Sequence, residues 1–250
     1  MNKDIYKIRK KIIELSYNSS SAHLGSSLSC VEILYSIFDL ISNNKKFIDS
    51  EVIFSKGHAS MAYLSVLEHF KLIPKINSKN YLSNDSKYWG HISRKKKSKY
   101  FKFSFGSLGC GLGIASGLSF DFLNKNINKK IFVLLSDGEL NEGSTFEAAQ
   151  FISHHNLNNM IILIDNNKIQ SFDKTKNILD IPYIKIFNQL NFGTFAVDGH
   201  NISTIKNVIK KNLKSPSIIF CNTIKGKGIK KIENKIESHY FPAKKEDLYK

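Results

Sequence analysis

The sequence is poor in the residues that build disulfide frameworks, and it has no long apolar run. Its three cysteines, Cys30, Cys110 and Cys221, are scattered, with no paired spacing for a zinc site or a disulfide framework. No apolar run approaches the roughly 18 residues that a membrane-spanning helix needs, and the start at Met1 leads into a charged helix instead of a signal peptide. We therefore expect a cytoplasmic protein with ordinary buried thiols and no membrane partner.

The sequence also lacks internal repeats, low-complexity linkers and a recognisable nucleic-acid-binding motif. Its net charge of +16 raises the question of a nucleic-acid partner. The lysines are nevertheless spread along the chain, with short clusters only at 94–97 and near the C terminus. We interpret the charge as a solvated basic surface that would help to attract phosphorylated sugars. The length of 250 residues and the hydrophobic content of 42% suit one domain over residues 1–250.

Two apolar runs, each ending in polar residues, dominate the middle of the sequence. Residues 131–135 are apolar and rich in branched side chains, as in a strand that is covered on both faces of a parallel sheet. An amphipathic segment and a second apolar run at 160–164 complete a strand-helix-strand unit. Because both strands of such a unit point the same way, Asp137 and Asn167 should meet at the carboxyl edge of the sheet. We predict an α/β fold with a doubly wound, mainly parallel sheet flanked by helices.

Apolar periodicity predicts several other elements of this fold. The predicted helices cover residues 4–17, 31–41, 183–190 and 203–213, and the predicted strands cover 51–54, 193–197 and 217–223. A glycine-containing run at 105–113 should lead into a small-residue helix at 114–118. The polar stretch at 77–102, which carries His91, predicts a long loop, and long loops in compact domains are more often functional than idle.

The side chains of Asp137 and Asn167 suit a divalent cation. A carboxylate and an amide carbonyl are hard oxygen ligands for Mg²⁺ or Ca²⁺, and such a cation can also hold phosphate oxygens. Either piece alone, Asp137-Gly138 or the run 165–167, is compatible with an ordinary turn. The pair at a spacing of about thirty residues is more specific.

Residues 136–143, together with Glu147 and Ala148, resemble the diphosphate-binding motif of thiamine diphosphate enzymes in its transketolase version. Six further segments match transketolases in the order of the family. These segments are 22–25, 54–59, 106–109, 198–200, 223–228 and 237–239. The match covers nearly the whole chain but only the first of the family's three domains, the diphosphate-binding domain. The chain therefore resembles the N-terminal subunit of a split transketolase.

The resemblance implies a thiamine diphosphate site that contains Mg²⁺ or Ca²⁺. Asp137, Asn167 and the backbone carbonyl of Ile169 would hold the cation, and the helix start at Gly138 would offer backbone donors to the diphosphate. The residues implied to bind the cofactor are Gly106, Leu108, Ser136, Asp137, Gly138, Glu139 and Asn167. Among these, Gly106 and Leu108 match the turn that contacts the aminopyrimidine.

The resemblance also implies catalytic roles for four histidines, His23, His58, His91 and His239. They would surround the thiazolium and the substrate, hydrogen-bond the sugar hydroxyls and pass protons. Glu142 matches a family carboxylate near the subunit interface, in a proton link between sites. The alternative, that Glu142 only favours a helix N terminus, stays open.

The implied activity is the transfer of a two-carbon ketol unit from a ketose phosphate to an aldose. In the family, the glutamate that activates the cofactor lies in the pyrimidine-binding domain, so the resemblance implies a C-terminal partner subunit that carries this domain. It further implies a dimer of heterodimers.

The sequence departs from the family at several positions. Ser136 stands where the family has glycine, Cys110 stands where glutamine is usual, and Ile92-Ser93 follow His91 where Pro-Glu is commoner. Two alternatives therefore stay open. The changed His91 loop favours another thiamine diphosphate-dependent reaction, such as a sugar-biosynthetic or deoxyxylulose-phosphate synthase. Ser136 and the missing pyrimidine domain favour a non-catalytic scaffold that retains the fold.

Overall fold

The computed structural model describes residues 2–96, 98–211 and 214–249. Its centre is a five-stranded sheet in the order β1-β2-β3-β5-β4, in which every neighbouring pair is parallel. The strands are β1 (Glu51–Phe54), β2 (Ile131–Ser136), β3 (Met160–Asn166), β4 (Gly193–Asp198) and β5 (Ser217–Asn222). All residues of β2 are buried, and because successive side chains point to opposite faces, both faces of the sheet are covered there.

Helices provide this cover. They are α1 (Lys3–Ser19), α2 (Leu24–Ser29), α3 (Val31–Asn43), α4 (Ser60–His69), α5 (Cys110–Asn124), α6 (Gly143–His154), α7 (Thr175–Ile178), α8 (Tyr183–Gln189) and α9 (Ile202–Ile209). Short 3₁₀ turns lie at Gly57–Ala59, Ser78–Asn80, Asp137–Asn141, Lys230–Ile232, Ile236–His239 and Lys245–Tyr249. Within the described ranges, no helix has the length and apolarity needed to cross a bilayer.

The architecture confirms the predicted parallel α/β fold, and most predicted elements lie within one or two residues of the observed ones. One boundary was wrong: α5 begins at Cys110, four residues before the predicted start. The reason is that Gly109, at a φ of 81°, completes the turn, and the following glycines continue the helix. Helix α9 ends at Ile209, and its predicted end at Leu213 lies outside the described residues, as does Lys97 of the basic cluster.

The register of the sheet brings the carboxyl ends of its strands together. Phe54 of β1 pairs with Leu134 of β2, and Ser136 of β2 pairs with Asp165 of β3. The segments that follow β1, β2 and β3 therefore leave the sheet side by side. Asp165 also pairs with Cys221 of β5, so the segment that follows β5 leaves at the same edge. This edge is where the candidate site lies.

Helix α5 approaches the end of β1 closely at Gly111. A methyl group on Gly111 would overlap the Oγ and Cβ atoms of Ser55, whereas the same group on Gly113, in the same helix, would meet open space. We expect Gly111→Ala to lower the free energy of unfolding by about 2 kcal/mol. Gly113→Ala should leave it unchanged or raise it by up to about 1 kcal/mol, because alanine favours the helix. Urea denaturation followed by circular dichroism measures both, and equal stabilities of the two variants would contradict the packing described.

Candidate active site

A cleft with a volume of about 220 Å³ opens at the carboxyl edge of the sheet. Most of the predicted site residues line it, although they come from distant parts of the chain. Eleven of the thirteen do so: His23, His58, His91, Gly106, Leu108, Ser136, Asp137, Gly138, Asn167, Ile169 and His239. The two that do not are Glu139 and Glu142.

Four imidazole rings cluster in this cleft around His23. The centroid of the His23 ring lies 4.6 Å from that of His239, 5.3 Å from that of His58 and 5.7 Å from that of His91. His23 lies at the N-cap of α2 with a φ of 65°, and its backbone N–H donates to the carbonyl of His239 at 2.8 Å. Gly25 allows this approach, because a Cβ there would overlap the side chain of Ser238.

The environment of these imidazoles disfavours their protonation. Burial, together with the positive charges of nearby side chains, lowers the pKa of His23 to about 4 and that of His239 to about 3. Burial and the neighbouring Lys56 hold the pKa of His58 well below its usual range. At neutral pH these three rings are therefore uncharged, and each can both donate and accept a hydrogen bond.

A buried ion pair between Lys56 and Asp165 lies behind the cleft. Asp165 also accepts hydrogen bonds from the hydroxyls of Ser29 and Thr223, and from Nδ2 of Asn167 at 3.3 Å. Burial alone would raise the pKa of Asp165, but Lys56 and these donors hold it below its usual value. The pair and its donors join α2, the end of β3 and the segments that follow β1 and β5.

Lys225 is a second buried lysine of the site. Its Nζ atom donates to the backbone carbonyls of Ile169 at 3.1 Å and Gln170 at 2.8 Å, and it lies 3.4 Å from Nδ1 of His239. Burial and the charge of Lys56 lower the pKa of Lys225 to about 8. Since a carbonyl oxygen has two lone pairs, Ile169 retains one for a cation.

Glu139 acts inside the protein and not in the cleft. It is fully buried, and its Oε2 atom accepts from the backbone N–H of Ser136 at 2.8 Å and from the Ser136 hydroxyl at 3.2 Å. Its Oε1 atom accepts from the hydroxyl of Ser55 and from the N–H of Gly109 at 3.3 Å. Ser136, the residue that replaces glycine in the family pattern, thus forms a capping box with Glu139 for the turn that carries Asp137.

Glu142 lies on the outside of this turn. It is exposed at the N-cap of α6, and its side chain makes no capping hydrogen bond. Its Cβ and Cγ atoms lie beside Gly109. The structure therefore separates Glu142 from the histidine cluster.

The cleft offers hard oxygen ligands at one point. Asp137 and Asn167 both line it, and the carbonyl of Ile169 is nearby in the chain. Burial and the charge of Asp165 raise the pKa of Asp137 to about 6, and a bound cation would counter both effects. In the described part of the chain, no cluster of three His, Cys, Asp or Glu side chains could hold a metal. A cation here would depend on one carboxylate, one amide and one carbonyl, a set that fits Mg²⁺ or Ca²⁺.

Among the residues that the structure describes, two buried polar atoms of the cleft lack a hydrogen-bond partner. They are Nδ1 of His23 and Nε2 of Gln170. Buried polar atoms are nearly always paired in folded proteins, so an unpaired atom in a cleft marks a place for a ligand group. The side chain of Gln170 also packs against Gly138, at the start of the turn that would bind a diphosphate.

Comparison with known proteins identifies the family. Residues 2–250 match the family model "Transketolase, thiamine diphosphate binding domain". The chain belongs to the transketolase family. This assignment confirms the resemblance on which the site residues were predicted.

Two relatives of this transketolase-family chain carry names that describe them as subunits. It is 36% identical over 258 residues to an apulose-4-phosphate transketolase subunit from Actinobacillus succinogenes, with 99% of this chain and 93% of the relative covered. It is 26% identical to the protein of the same name from Phocaeicola vulgatus, with 94% of this chain and 86% of the relative covered.

Solved transketolases share the fold. The transketolase of Campylobacter jejuni superposes with a TM-score of 0.84 at 23% identity, over 98% of this chain and 41% of that one. The transketolase of Leishmania mexicana superposes with a TM-score of 0.83 at 19% identity, over 98% of this chain and 40% of that one. The chain thus spans about 40% of the length of these enzymes.

Three polar residues of the site were missed by the sequence predictions: Lys56, Asp165 and Lys225. Lys56 and Lys225 lie inside the matched segments 54–59 and 223–228, and Asp165 opens the polar run that ends β3. Their positions were visible in the sequence. Their burial was not, because a lysine in a polar turn is normally solvated.

The Lys56–Asp165 pair should contribute strongly to stability because each charge neutralises the other out of water. Asp165→Asn would leave Lys56 buried without a counter-charge, and we expect the free energy of unfolding to fall by about 3–5 kcal/mol. The control is Asp121→Asn, which breaks the exposed Lys125–Asp121 pair of α5 and should cost less than about 0.5 kcal/mol. Chemical denaturation measures both losses, and equally small losses would contradict the role given to the buried pair.

The lowered pKa values of His23 and His239 make the fold sensitive to acid. In the unfolded chain these side chains take up protons near pH 6.5, but in the folded chain only at about 4 and about 3. The unfolded state therefore binds more protons below about pH 6.5, and stability should fall as the pH falls from there. Urea midpoints at about pH 7.5 and about pH 5 measure this loss. A His23→Asn/His239→Asn variant should lose less than the wild type, and an equal loss would contradict the assignment.

Proposed function

We propose that this chain is the cofactor-binding subunit of a heteromeric transketolase in the cytoplasm. It transfers a two-carbon ketol unit from a ketose phosphate to an aldose, with thiamine diphosphate and Mg²⁺ bound in the cleft. The observation that carries the proposal is the gathering of four imidazoles, Asp137 and Asn167 in one cleft of a transketolase-family chain. Residues 1–250 act as one diphosphate-binding domain.

The carboxyl ends of β2 and β3 hold the cation and the diphosphate. Asp137, Asn167 and the carbonyl of Ile169 are the cation ligands, and the turn that starts at Gly138 offers backbone N–H groups to phosphate oxygens. Ser136 and Glu139 fix this turn from behind. Gly106 and Leu108, which also line the cleft, meet the aminopyrimidine.

The four histidines handle the substrate. When bound, thiamine diphosphate supplies the carbon nucleophile and the electron sink for the ketol unit. His23, His58 and His239 are uncharged at neutral pH, so they can donate hydrogen bonds to the sugar oxygens and accept protons from hydroxyls. His91 is exposed in a long loop, where it can meet a substrate that enters the cleft.

A second polypeptide completes the site. Two relatives that this chain matches over most of their length are named as subunits of a transketolase, which supports a separate partner chain. We propose that the partner carries the pyrimidine-binding domain and the carboxylate that activates the cofactor, in a dimer of heterodimers. Glu142, exposed and away from the histidines, is then placed for a role at the interface between subunits.

The proposal is tested with the chain co-purified with its candidate partner. We expect ketol transfer that requires both subunits, thiamine diphosphate and Mg²⁺, with apulose 4-phosphate, the sugar phosphate in the names of two relatives, as the first ketose phosphate to try. Asp137→Ala should reduce turnover by about a thousandfold or more by removing a cation ligand. Asp121→Ala, which changes an exposed carboxylate of α5, should leave turnover unchanged.

The outcomes separate the proposal from its alternatives. Absence of ketol transfer from every ketose phosphate tested would refute the proposal. Product formation from pyruvate and an aldehyde would instead indicate a synthase. A scaffold that only retains the fold would show no metal-dependent binding of thiamine diphosphate in calorimetry, with or without the partner.

A further inference from the structure

The carboxylate of Asp137 is almost fully engaged in hydrogen bonds from the protein. Its Oδ2 atom accepts from the backbone N–H of Lys168 at 2.6 Å and from the hydroxyl of Thr175 at 3.1 Å, and its Oδ1 atom accepts from the N–H of Gly138 at 3.0 Å. A carboxylate has about four lone-pair positions. One position therefore remains, on Oδ1, so a cation would meet a single oxygen of Asp137.

Both donors to Oδ2 belong to one short hairpin, residues 168–175. Ile169 pairs with Lys174 in an antiparallel bridge, and the backbone N–H of Thr175 donates to the carbonyl of Lys168 at 3.0 Å. Lys168 has a φ of 63°, a left-handed conformation that a lysine adopts only where its surroundings impose it. The hairpin thus fixes the two donors next to each other and against the same oxygen.

We propose that Thr175 sets the preference of this site for Mg²⁺ over Ca²⁺. The inference rests on the proposed function, because it concerns the cation of the cofactor site. Mg²⁺ requires near-ideal octahedral geometry with short bonds, whereas Ca²⁺ takes six to eight oxygens and accepts both oxygens of one carboxylate. The hydroxyl of Thr175, together with the N–H of Lys168, occupies Oδ2 and keeps Asp137 monodentate. Thr175 contacts the ligand and not the cation, so it is a positioning residue.

The separate contributions of the two donors make the inference testable. The N–H of Lys168 belongs to the backbone and cannot be removed by a side-chain change, but the hydroxyl of Thr175 can. Thr175→Val keeps the shape of the side chain and removes the donor, which frees one lone pair of Oδ2. Asp137 can then offer two oxygens to a larger cation. Thr175→Ser keeps the hydroxyl and should keep the wild-type behaviour.

Calorimetric titration of Mg²⁺ and of Ca²⁺ into the two-subunit complex saturated with thiamine diphosphate measures this preference. We expect Thr175→Val to shift the ratio of the two dissociation constants towards Ca²⁺ by about tenfold, and Thr175→Ser to leave the ratio unchanged. The matched control is Thr194→Val on β4, whose hydroxyl donates to the carbonyl of Phe192 at 3.3 Å, away from the cleft. This control should also leave the ratio unchanged.

A ratio distinguishes the inference from a general weakening of the site, since structural damage would lower both affinities together. An unchanged ratio in Thr175→Val, or the same shift in Thr194→Val, overturns the inference and leaves the proposed function intact. A wild-type complex that binds neither metal overturns the proposed cofactor site, and the inference with it. If Thr175→Val does not fold by circular dichroism, Thr175→Ala removes the same donor with less bulk and takes its place.

Discussion

The buried ion pair between Lys56 and Asp165 is the interaction on which the cleft depends. Both side chains are out of water, so neither charge would be tolerated without the other. The pair joins the segment that follows β1 to the end of β3, and Ser29 and Thr223 attach α2 and the segment after β5 to the same carboxylate. Four parts of the chain are thus held at one point, directly behind the candidate ligands.

The same pair orients a candidate cation ligand. The amide of Asn167 donates through Nδ2 to Asp165, so its oxygen must face away from that carboxylate, where it accepts from the N–H of Ile169 at 3.1 Å. Lys56 also contributes to the low pKa values of His23, His58 and His239. One buried charge therefore acts on the oxygen ligands and on the imidazoles, which couples the two halves of the site.

The sheet and the edge of the site could be predicted from the sequence, because each rests on a local pattern. Residues 131–135 and 160–164 are apolar since both faces of these strands are buried, and Asp137 and Asn167 follow closely after them. The histidine cluster has no local pattern, because His23 and His239 lie at opposite ends of the chain, and only the family resemblance brought them together. The roles of Lys56 and Asp165 depend on burial, which a polar turn does not reveal. The place of Glu139 was readable, since Ser136 and Glu139 have the spacing of a capping box.

The replacement of glycine by Ser136 is explained by this internal hydrogen bonding. Its hydroxyl donates to Glu139 and so points away from any phosphate at Gly138, which removes the main argument for a decayed site. Glu139 in turn receives donors from Ser55 and Gly109, so the turn that carries Asp137 is tied to the end of β1 and to the start of α5. Because Gly109 also precedes the helix that packs on Ser55, a shift of α5 would move Glu139, then the turn, and then the carboxylate of Asp137. The position of that carboxylate is therefore set by contacts on the far side of the sheet edge as well as by the hairpin that carries Thr175.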